Sequence, residues 1–513
     1  MTEPSRRKKV LQGSLSNLLR LVLSIAFSLY LPHFLVHHMG PAEYSAWVVI
    51  LQLAAYINYL EFGIQTAVSK FVAEYDARGD RNELHRTVSS AFLLLVVGGS
   101  IGLFATAILS WKVPVLFNGM PISLWPQVRF GLIAIGCSTA FSLPFSTFTA
   151  IFVGLQQYTY PTLVATFSRA FSMAAIIVTL LATGDLLRMA VVLAFFNILT
   201  ALATYAGWYK LAAHRVPLRI AAASRIHLQR LFRYCGVLSV WTFGGLFISG
   251  LDTLIVGHFD FRNTGYYAVA ASATNFAVML FGSLISPLLP ATASFGVVST
   301  SERMGALLLR ASRYSNLLLF LIALPLFTGG YILLRLWVGA NYAAHAVVFL
   351  QILLLANVLR CLVYVYATIV IAGGRQRSAT LSPACEAMLN FGLSILLARH
   401  YGAIGVAWGT FAGALLGVVL HLLQSMRRTQ DLLRFDRLQL IMSSIARPAM
   451  VLLPAAVLLV ANRLAPASSA IAPLLSGLCI VATAMVAWRF VLDAGERQEV
   501  IHFASTRMRR LTA

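Results

Sequence analysis

The sequence predicts an all-α integral membrane protein of about fourteen transmembrane helices, arranged as two parallel six-helix repeats followed by a C-terminal helix pair. Three observations carry that expectation. Hydrophobic residues make up 59% of the 513 positions and charged residues only 11%, with a mean hydropathy of +0.81, whereas a soluble domain is typically about 25% charged. Basic residues fall on alternate connections between the apolar runs. The chain also repeats itself at an offset of about 220 residues.

Apolar windows of lipid-spanning length place the first six spans near 14–37, 44–72, 88–110, 129–153, 162–182 and 188–208. Six more fall near 236–257, 265–290, 315–337, 346–372, 380–398 and 403–425, and a last pair near 448–463 and 469–490. The run after Arg6, Arg7, Lys8 and Lys9 is too long for a signal-peptide core and is expected to be a retained first helix. Connections are short, so no soluble domain with its own core is expected. The expected organisation is a first lobe over 1–210, a basic interfacial linker over 211–235, a second lobe over 236–426, a basic linker over 427–447, and the extra pair with its tail over 448–513.

With the N-terminus inside, 29 of the 39 Lys and Arg lie on inside segments, 7 on outside segments or edges, and 3 within spans. Both termini are therefore expected on the cytoplasmic side. The formal charge of +22 then reflects membrane topology, and no nucleic-acid partner is inferred. The five cysteines lie in or beside apolar runs without metal spacing and read as packing residues.

The repeat falls on turn residues as well as apolar ones. Val36 to His38 matches Val256 to His258, Ala42 to Tyr44 matches Thr264 to Tyr266, and Gly154 to Gln157 matches Gly374 to Arg377. Six spans separate the copies, so the halves share one orientation and are expected to be related by an axis along the membrane normal.

Polar residues inside the spans are the candidate functional groups, because an ionisable side chain in a lipid-length helix is costly unless it faces a cavity or a partner. Arg360 sits mid-span with Asn357, Tyr364 and Thr368 on one helical stripe; it either faces a cavity or forms an internal ion pair. Arg20, with Asn17, Ser24 and Ser28 on one face, and Arg169 lie nearer the cytoplasmic ends, where snorkelling competes with a site role. Glu61 either binds a coupling ion or neutralises Arg20. Asp252 lies close to the outer end of its helix and could be an exposed end residue, while Glu386, with Asn390, is the better acid of the second half. His33 and His37 have a metal-compatible spacing but no third ligand nearby. Gly405, Gly409, Gly413 and Gly417 read as a close-packing stripe. Tyr56, Tyr59, Trp241 and Tyr364 could stack on sugars or simply fill the core. The basic, apolar-interleaved segment from Arg219 to Arg233 is expected along the cytoplasmic membrane surface.

The order Gly40, Tyr44, Glu61-Phe62-Gly63, Lys70, Glu74, Gly79 and a basic loop resembles the second-helix region of the oligosaccharide and polysaccharide (O-antigen type) flippases of the multidrug/oligosaccharidyl-lipid/polysaccharide exporter superfamily. The Gly154 turn and the entry from Leu231 to Gly236 are similar to that family too, and the resemblance covers about the first 425 residues. It implies a V-shaped pair of six-helix lobes in the bacterial inner membrane. These would move a polyprenyl-pyrophosphate-linked oligosaccharide to the outer leaflet by alternating access through a cationic cavity.

In that picture Arg360, Arg20, Arg169, Asn17, Asn357 and Tyr364 are candidate substrate contacts, since arginine keeps its charge on burial and grips phosphate bidentately. Glu61, Glu386 and Asp252 are candidate coupling acids. The expected partners are the lipid-linked oligosaccharide and membrane lipids, with room for H+ or Na+ and for other polysaccharide assembly proteins. No cofactor or metal is implied. The rivals are peptidoglycan-precursor flippases, a multidrug or cation antiporter, a membrane enzyme acting on lipid-linked sugar, and a non-transporting scaffold. No phosphate-binding glycine loop, nucleophile triad or metal set is present, which speaks against the enzyme.

Overall fold

A computed structural model describes residues 29–286, 300–464, 472–493 and 495–498. Arg20 and Asn17, and the side chains of Trp241 and Thr242, fall outside the described residues. Among those described, every regular element is helical.

The chain forms α1 (29–38), α2 (Pro41–Arg78), α3 (Arg81–Leu116), α4 (Ile122–Gly154), α5 (Thr159–Thr183) and α6 (Leu186–Leu211). Then come α7 (Arg225–Gly245, continued by Asp252–Phe259), α8 (Thr264–Ile285), α9 (Ser301–Thr328) and α10 (Gly330–Leu362, continued by Tyr364–Ala372). One helical run, Leu381–Leu420, is divided at Gly402 into α11 and α12. The last pair is α13 (from Arg437 to Leu464) and α14 (from Ala472 to Val491). Among the described residues ten helices are long and apolar enough to cross a membrane by themselves. Several extend beyond their predicted windows because amphipathic turns, polar enough to escape a hydropathy window, continue the apolar core; α9, for example, begins at Ser301.

Local signals fix the helix ends. Gly40, Pro41 and Glu43 start α2, with Pro41 at a first-turn position and the Glu43 carboxylate accepting from the Gly40 N–H at 3.0 Å. Asp80 caps α3 by accepting from the Glu83 N–H. Gly79 and Gly184 adopt the left-handed conformation that closes a helix.

The chain divides into two compact units. The first runs to Ser272 and includes Ile395–Val406; the second holds Ala273–Ser394 and the chain from Ala407 onward. Toward the basic-loop end of the first unit, Val68, Phe71, Val88, Phe148, Trp208 and Leu231 belong to one buried cluster. The segment after α6 is strapped to α3. The N–H groups of Arg219 and Ser224 donate to the buried hydroxyls of Ser89 and Ser90, and His227 and Arg230 reach Glu83 at 3.2 and 3.1 Å. Rather than lying as a separate surface segment throughout, the chain enters α7 at Arg225. Lys70 of α2 sits 4.6 Å over the Tyr234 ring, a cation–π contact that joins α2 to the start of α7.

In the second unit the glycine stripe of α12 lies against a polar stripe of α11. A Cβ on Gly409 would come within 2.5 Å of the Ser394 hydroxyl, one on Gly413 within 2.8 Å of the Asn390 Cβ, and one on Gly417 within 2.5 Å of a Glu386 carboxylate oxygen. The stripe thus serves packing within the fold.

The repeat predicted from sequence reappears in the local backbone of each unit. Helix α4 is interrupted at 143–145 and α10 at Val363. Each interrupted helix then closes with a matching turn, the Gln157 N–H donating to the Phe152 carbonyl and the Arg375 N–H to the Val370 carbonyl. Gln156 and Gly374 take the positive φ values that these turns require, 60° and 71°.

Candidate functional site

Two polar sites lie within the apolar helices, one in each unit. In the first unit, α2 breaks where its acid lies. Asn58–Glu61 tightens into a 3-10 turn, Phe62 and Gly63 take φ values of 51° and 73°, and the helix resumes at Ile64. A bulky residue in the left-handed region is rare and tends to mark a site whose geometry is held by its surroundings. The turn leaves the Gln65 N–H free to donate to Glu61 Oε1 at 3.1 Å, so the carboxylate caps the second half of its own helix. Among the described residues Glu61 has no basic partner, and its other candidate neutraliser, Arg20, lies outside them.

Helix α4 breaks beside it. Pro144 cannot donate to the helix ladder, and the backbone from Leu143 to Thr147 closes instead in tight i to i−3 turns. Glu61, Asn58, Ser142, Ser146, Asn197 and Thr200 are among the residues that line a chamber of 380 Å3 formed by α2, α4 and α6. The buried Ser146 hydroxyl has no hydrogen-bond partner among the described residues. Asn197 donates to Ser138 at 3.2 Å, which fixes its amide and leaves its oxygen as an acceptor. Non-helical backbone at membrane depth is tolerated where it is buried in protein or lines a water-filled cavity; the hydroxyls and amides around these two breaks supply such a lining.

In the second unit the charges are paired. Arg360 Nε donates to Glu386 Oε1 at 2.5 Å, with the side chains 17% and 9% exposed. Asn390 lies one turn along α11, fully buried and accepting from Ser394 at 2.9 Å. Of the two readings of Arg360, the structure places it in an internal ion pair, on a helix that breaks three residues later at Val363. That break also interrupts the polar stripe predicted across Asn357, Arg360, Tyr364 and Thr368. Asn357 donates to the Leu353 carbonyl of its own helix, and Tyr364 stands edge-on to Phe281 with 37% of its surface exposed.

Other candidates are distributed elsewhere. Arg169 is exposed on α5. Asp252, expected near a helix end and open to exposure, is instead buried at 5% and accepts from the Tyr267 hydroxyl at 3.3 Å, because α8 packs over the start of the last segment of α7. Tyr56, a candidate for sugar stacking, has its hydroxyl committed to the Gly250 carbonyl at 2.6 Å, with Gln52 donating to the same oxygen at 2.8 Å. Gly250 ends a π-turn of α7 whose wide spacing frees that carbonyl. The rings of His33 and His37 are neighbours on α1, 4.5 Å apart and tilted by 49°, and no group of three or more potential metal ligands converges among the described residues.

Sequence reading missed Asn58, Ser146 and Asn197. The signal was there in the Ser142-Leu143-Pro144-Phe145-Ser146 stretch, a proline flanked by hydroxyls inside a span. It also missed a cluster at the basic end of the second unit. Arg313, 8% exposed, donates to Asp493 at 2.6 Å and to Glu496, while Arg447 bridges Asp493 at 2.8 Å and Arg310 bridges Glu496 at 3.4 Å. The Arg313 hydrogen bond holds the Asp493 carboxyl below its usual range, against partial desolvation and with help from Arg447. This network fastens the end of α14 to α9 around a cavity of 550 Å3.

No protein-family model and no curated protein matches the chain. Solved structures do. The lipid II flippase MurJ in an inward closed conformation superposes with a TM-score of 0.70 at 14% identity, over 93% of this chain and 99% of that one. An inward-facing multidrug resistance MATE family transporter of the MOP superfamily gives 0.62 at 14% identity, over 81% and 98%. A MATE protein in a straight conformation gives 0.55 at 13%, over 83% and 96%. The chain is a multi-pass, all-helical membrane protein that shares its fold with the lipid II flippase MurJ and with MATE transporters of the MOP superfamily.

Proposed function

We propose that this chain is a membrane transporter of the MOP type that flips a polyprenyl-pyrophosphate-linked oligosaccharide from the cytoplasmic to the outer leaflet by alternating access. The observation that carries the reading is the fold likeness to the lipid II flippase, which extends over 93% of the chain. A soluble sugar pyrophosphate cannot cross the bilayer core, because its charges and hydroxyls would lose their water. A protein that moves one must offer cations to the phosphates and hydrogen-bonding groups to the sugars.

Arg360 and Glu386 serve the first need as exchange partners. A phosphate oxygen can replace the Glu386 carboxylate on the Arg360 guanidinium, since both are anionic acceptors of the same donors. A pyrophosphate carrying about two negative charges also gains ~2.3 kcal/mol per charge per 100 mV when an inside-negative potential drives it outward. Net export then needs no nucleotide.

The test is transport in liposomes. Purified protein is reconstituted with a radiolabelled short-chain polyprenyl-diphosphate N-acetylglucosamine, and its exposure to membrane-impermeant periodate is followed. Wild type should equilibrate the probe across the bilayer, and Arg360→Ala should remove that activity while the protein stays folded. Normal movement by Arg360→Ala takes Arg360 out of the site. The acid of the first unit, Glu61, which has no basic partner among the described residues, favours one second reading, a multidrug or cation antiporter, since such transporters centre on carboxylates; efflux of ethidium by wild type with no movement of the lipid probe would select it.

A further inference from the structure

The chamber in the first unit has no assigned ligand, and its chemistry differs from that of the Arg360 pair. Among the described residues its lining includes a carboxylate, two carboxamides and several hydroxyls, and no basic residue. The carboxylate repels phosphate, so the pyrophosphate has no place there. Hydroxyls and amides each donate and accept, which matches a ligand whose own groups do both. The volume of 380 Å3 is at the small-molecule end of binding cavities and far exceeds what a bare ion fills. Phe145, at the α4 break, adds a flat apolar face of the kind a pyranose ring presents its C–H groups to. Three groups in the chamber keep capacity to spare. Among the described residues Glu61 Oε2 has no partner while Oε1 caps Gln65, the Asn197 side-chain oxygen is unclaimed while its nitrogen is held, and the Ser146 hydroxyl is buried without a partner.

We infer that this chamber is a glycan subsite, which takes a neutral sugar residue of the lipid-linked substrate with Glu61 accepting from adjacent ring hydroxyls and Asn197 and Ser146 hydrogen-bonding the ring. The inference rests on the transport reading and assigns it a second, separate contact. The headgroup is recognised at two chemically distinct places, sugar at the Glu61 chamber and phosphate at the Arg360 pair.

The experiment measures sugar binding apart from transport. Full-length protein in lipid nanodiscs is titrated with N-acetylglucosamine, glucose, galactose and rhamnose by saturation-transfer NMR, in sodium and in potassium buffer. The expected result is saturable binding of at least one of these sugars, unchanged by replacing sodium with potassium. Glu61→Gln and Asn197→Leu should each weaken it about tenfold, in proportion to one lost hydrogen bond to a charged or fixed group. Thr149 of α4 also lines the chamber, and Thr149→Val, which removes its hydroxyl with little change in side-chain volume, gives a folded comparison if Asn197→Leu does not assemble; it should weaken binding about threefold.

Binding retained in Arg360→Ala while the lipid probe no longer moves supports two separate contacts. No sugar of the four binding, sugar binding equal to wild type in Glu61→Gln and Thr149→Val, or radioactive sodium uptake lost in Glu61→Gln with no sugar signal, would overturn the subsite. Failure of wild type to move the lipid probe with sugar binding intact sinks the transport reading and leaves the subsite standing.

Discussion

Glu61 and Glu386 are both carboxylates inside apolar helices, and the protein treats them in opposite ways. Glu386 is 7% exposed and has Arg360 at 2.5 Å. Around it α12 presents only glycine at positions 409, 413 and 417, so that two backbones close over the pair. Glu61 lies where both its own helix and α4 break, and its surroundings are hydroxyls, amides and open volume. A buried charge is satisfied by a counter-charge or by water and hydrogen bonds. Among the described residues the second unit uses the first solution, and the first unit surrounds Glu61 with the hydrogen-bonding groups of the second. Charge in a membrane helix therefore identifies a site, while the neighbouring helix decides whether that site is a closed pair or an open chamber.

The comparison is broken most directly by removing each charge in turn. Glu386→Gln leaves the Arg360 guanidinium largely buried without its counter-charge and should cost about 3 kcal/mol, read as the loss of thermal stability of the purified protein. Glu61→Gln keeps an oxygen for the Gln65 N–H and should change stability by under about 1 kcal/mol. Equal losses at the two positions would erase the distinction. A double-mutant cycle of Arg360→Met with Glu386→Gln sharpens it further: the double variant should recover much of what either single change loses, by about 1–3 kcal/mol of coupling.

Closure around the pair depends on glycine. Gly417→Ala puts a methyl group within 2.5 Å of a Glu386 oxygen, and should cost about 1–3 kcal/mol by overpacking. Gly244, where a Cβ would meet nothing within 4 Å, is the control; Gly244→Ala should be neutral or slightly stabilising.

The Arg313 network provides a third setting, at the helix ends. Asp493 has its folded pKa depressed by Arg313. Its contribution is therefore fully present above the ordinary aspartate pKa and is lost as pH falls through the lower folded value. Thermal stability should hold steady from neutral pH down to about pH 4 and decline below that, and Arg313→Gln should weaken this acid-dependent part. The smallest effect belongs to the exposed Asp76–Arg215 pair, bidentate at 2.8 and 2.6 Å. Asp76→Asn should cost no more than about 1 kcal/mol and less in high salt, which a salt series of melting curves would measure.

Sequence alone determined the architecture. The spacing of apolar runs and the charge bias follow from the bilayer's thickness and the cost of charge within it, which act on each segment separately. The repeat was legible for the same reason, since the turn at Gly154 and its counterpart at Gly374 are local features that any copy must preserve. The glycine stripe of α12 could be read too, because only glycine lets two helices approach so closely.

Tertiary structure alone decided which polar groups meet. Arg360 and Glu386 come from different helices 26 positions apart, and Glu61 shares its chamber with Asn197, 136 positions further on. Helical periodicity gives the face of a residue but not the helix opposite it. Asp252 turned from a possible end residue to a buried acceptor only when α8 covered it. The carboxylates are alike in sequence and differ in the structure because pairing and hydration are properties of neighbours, and neighbours are set by packing.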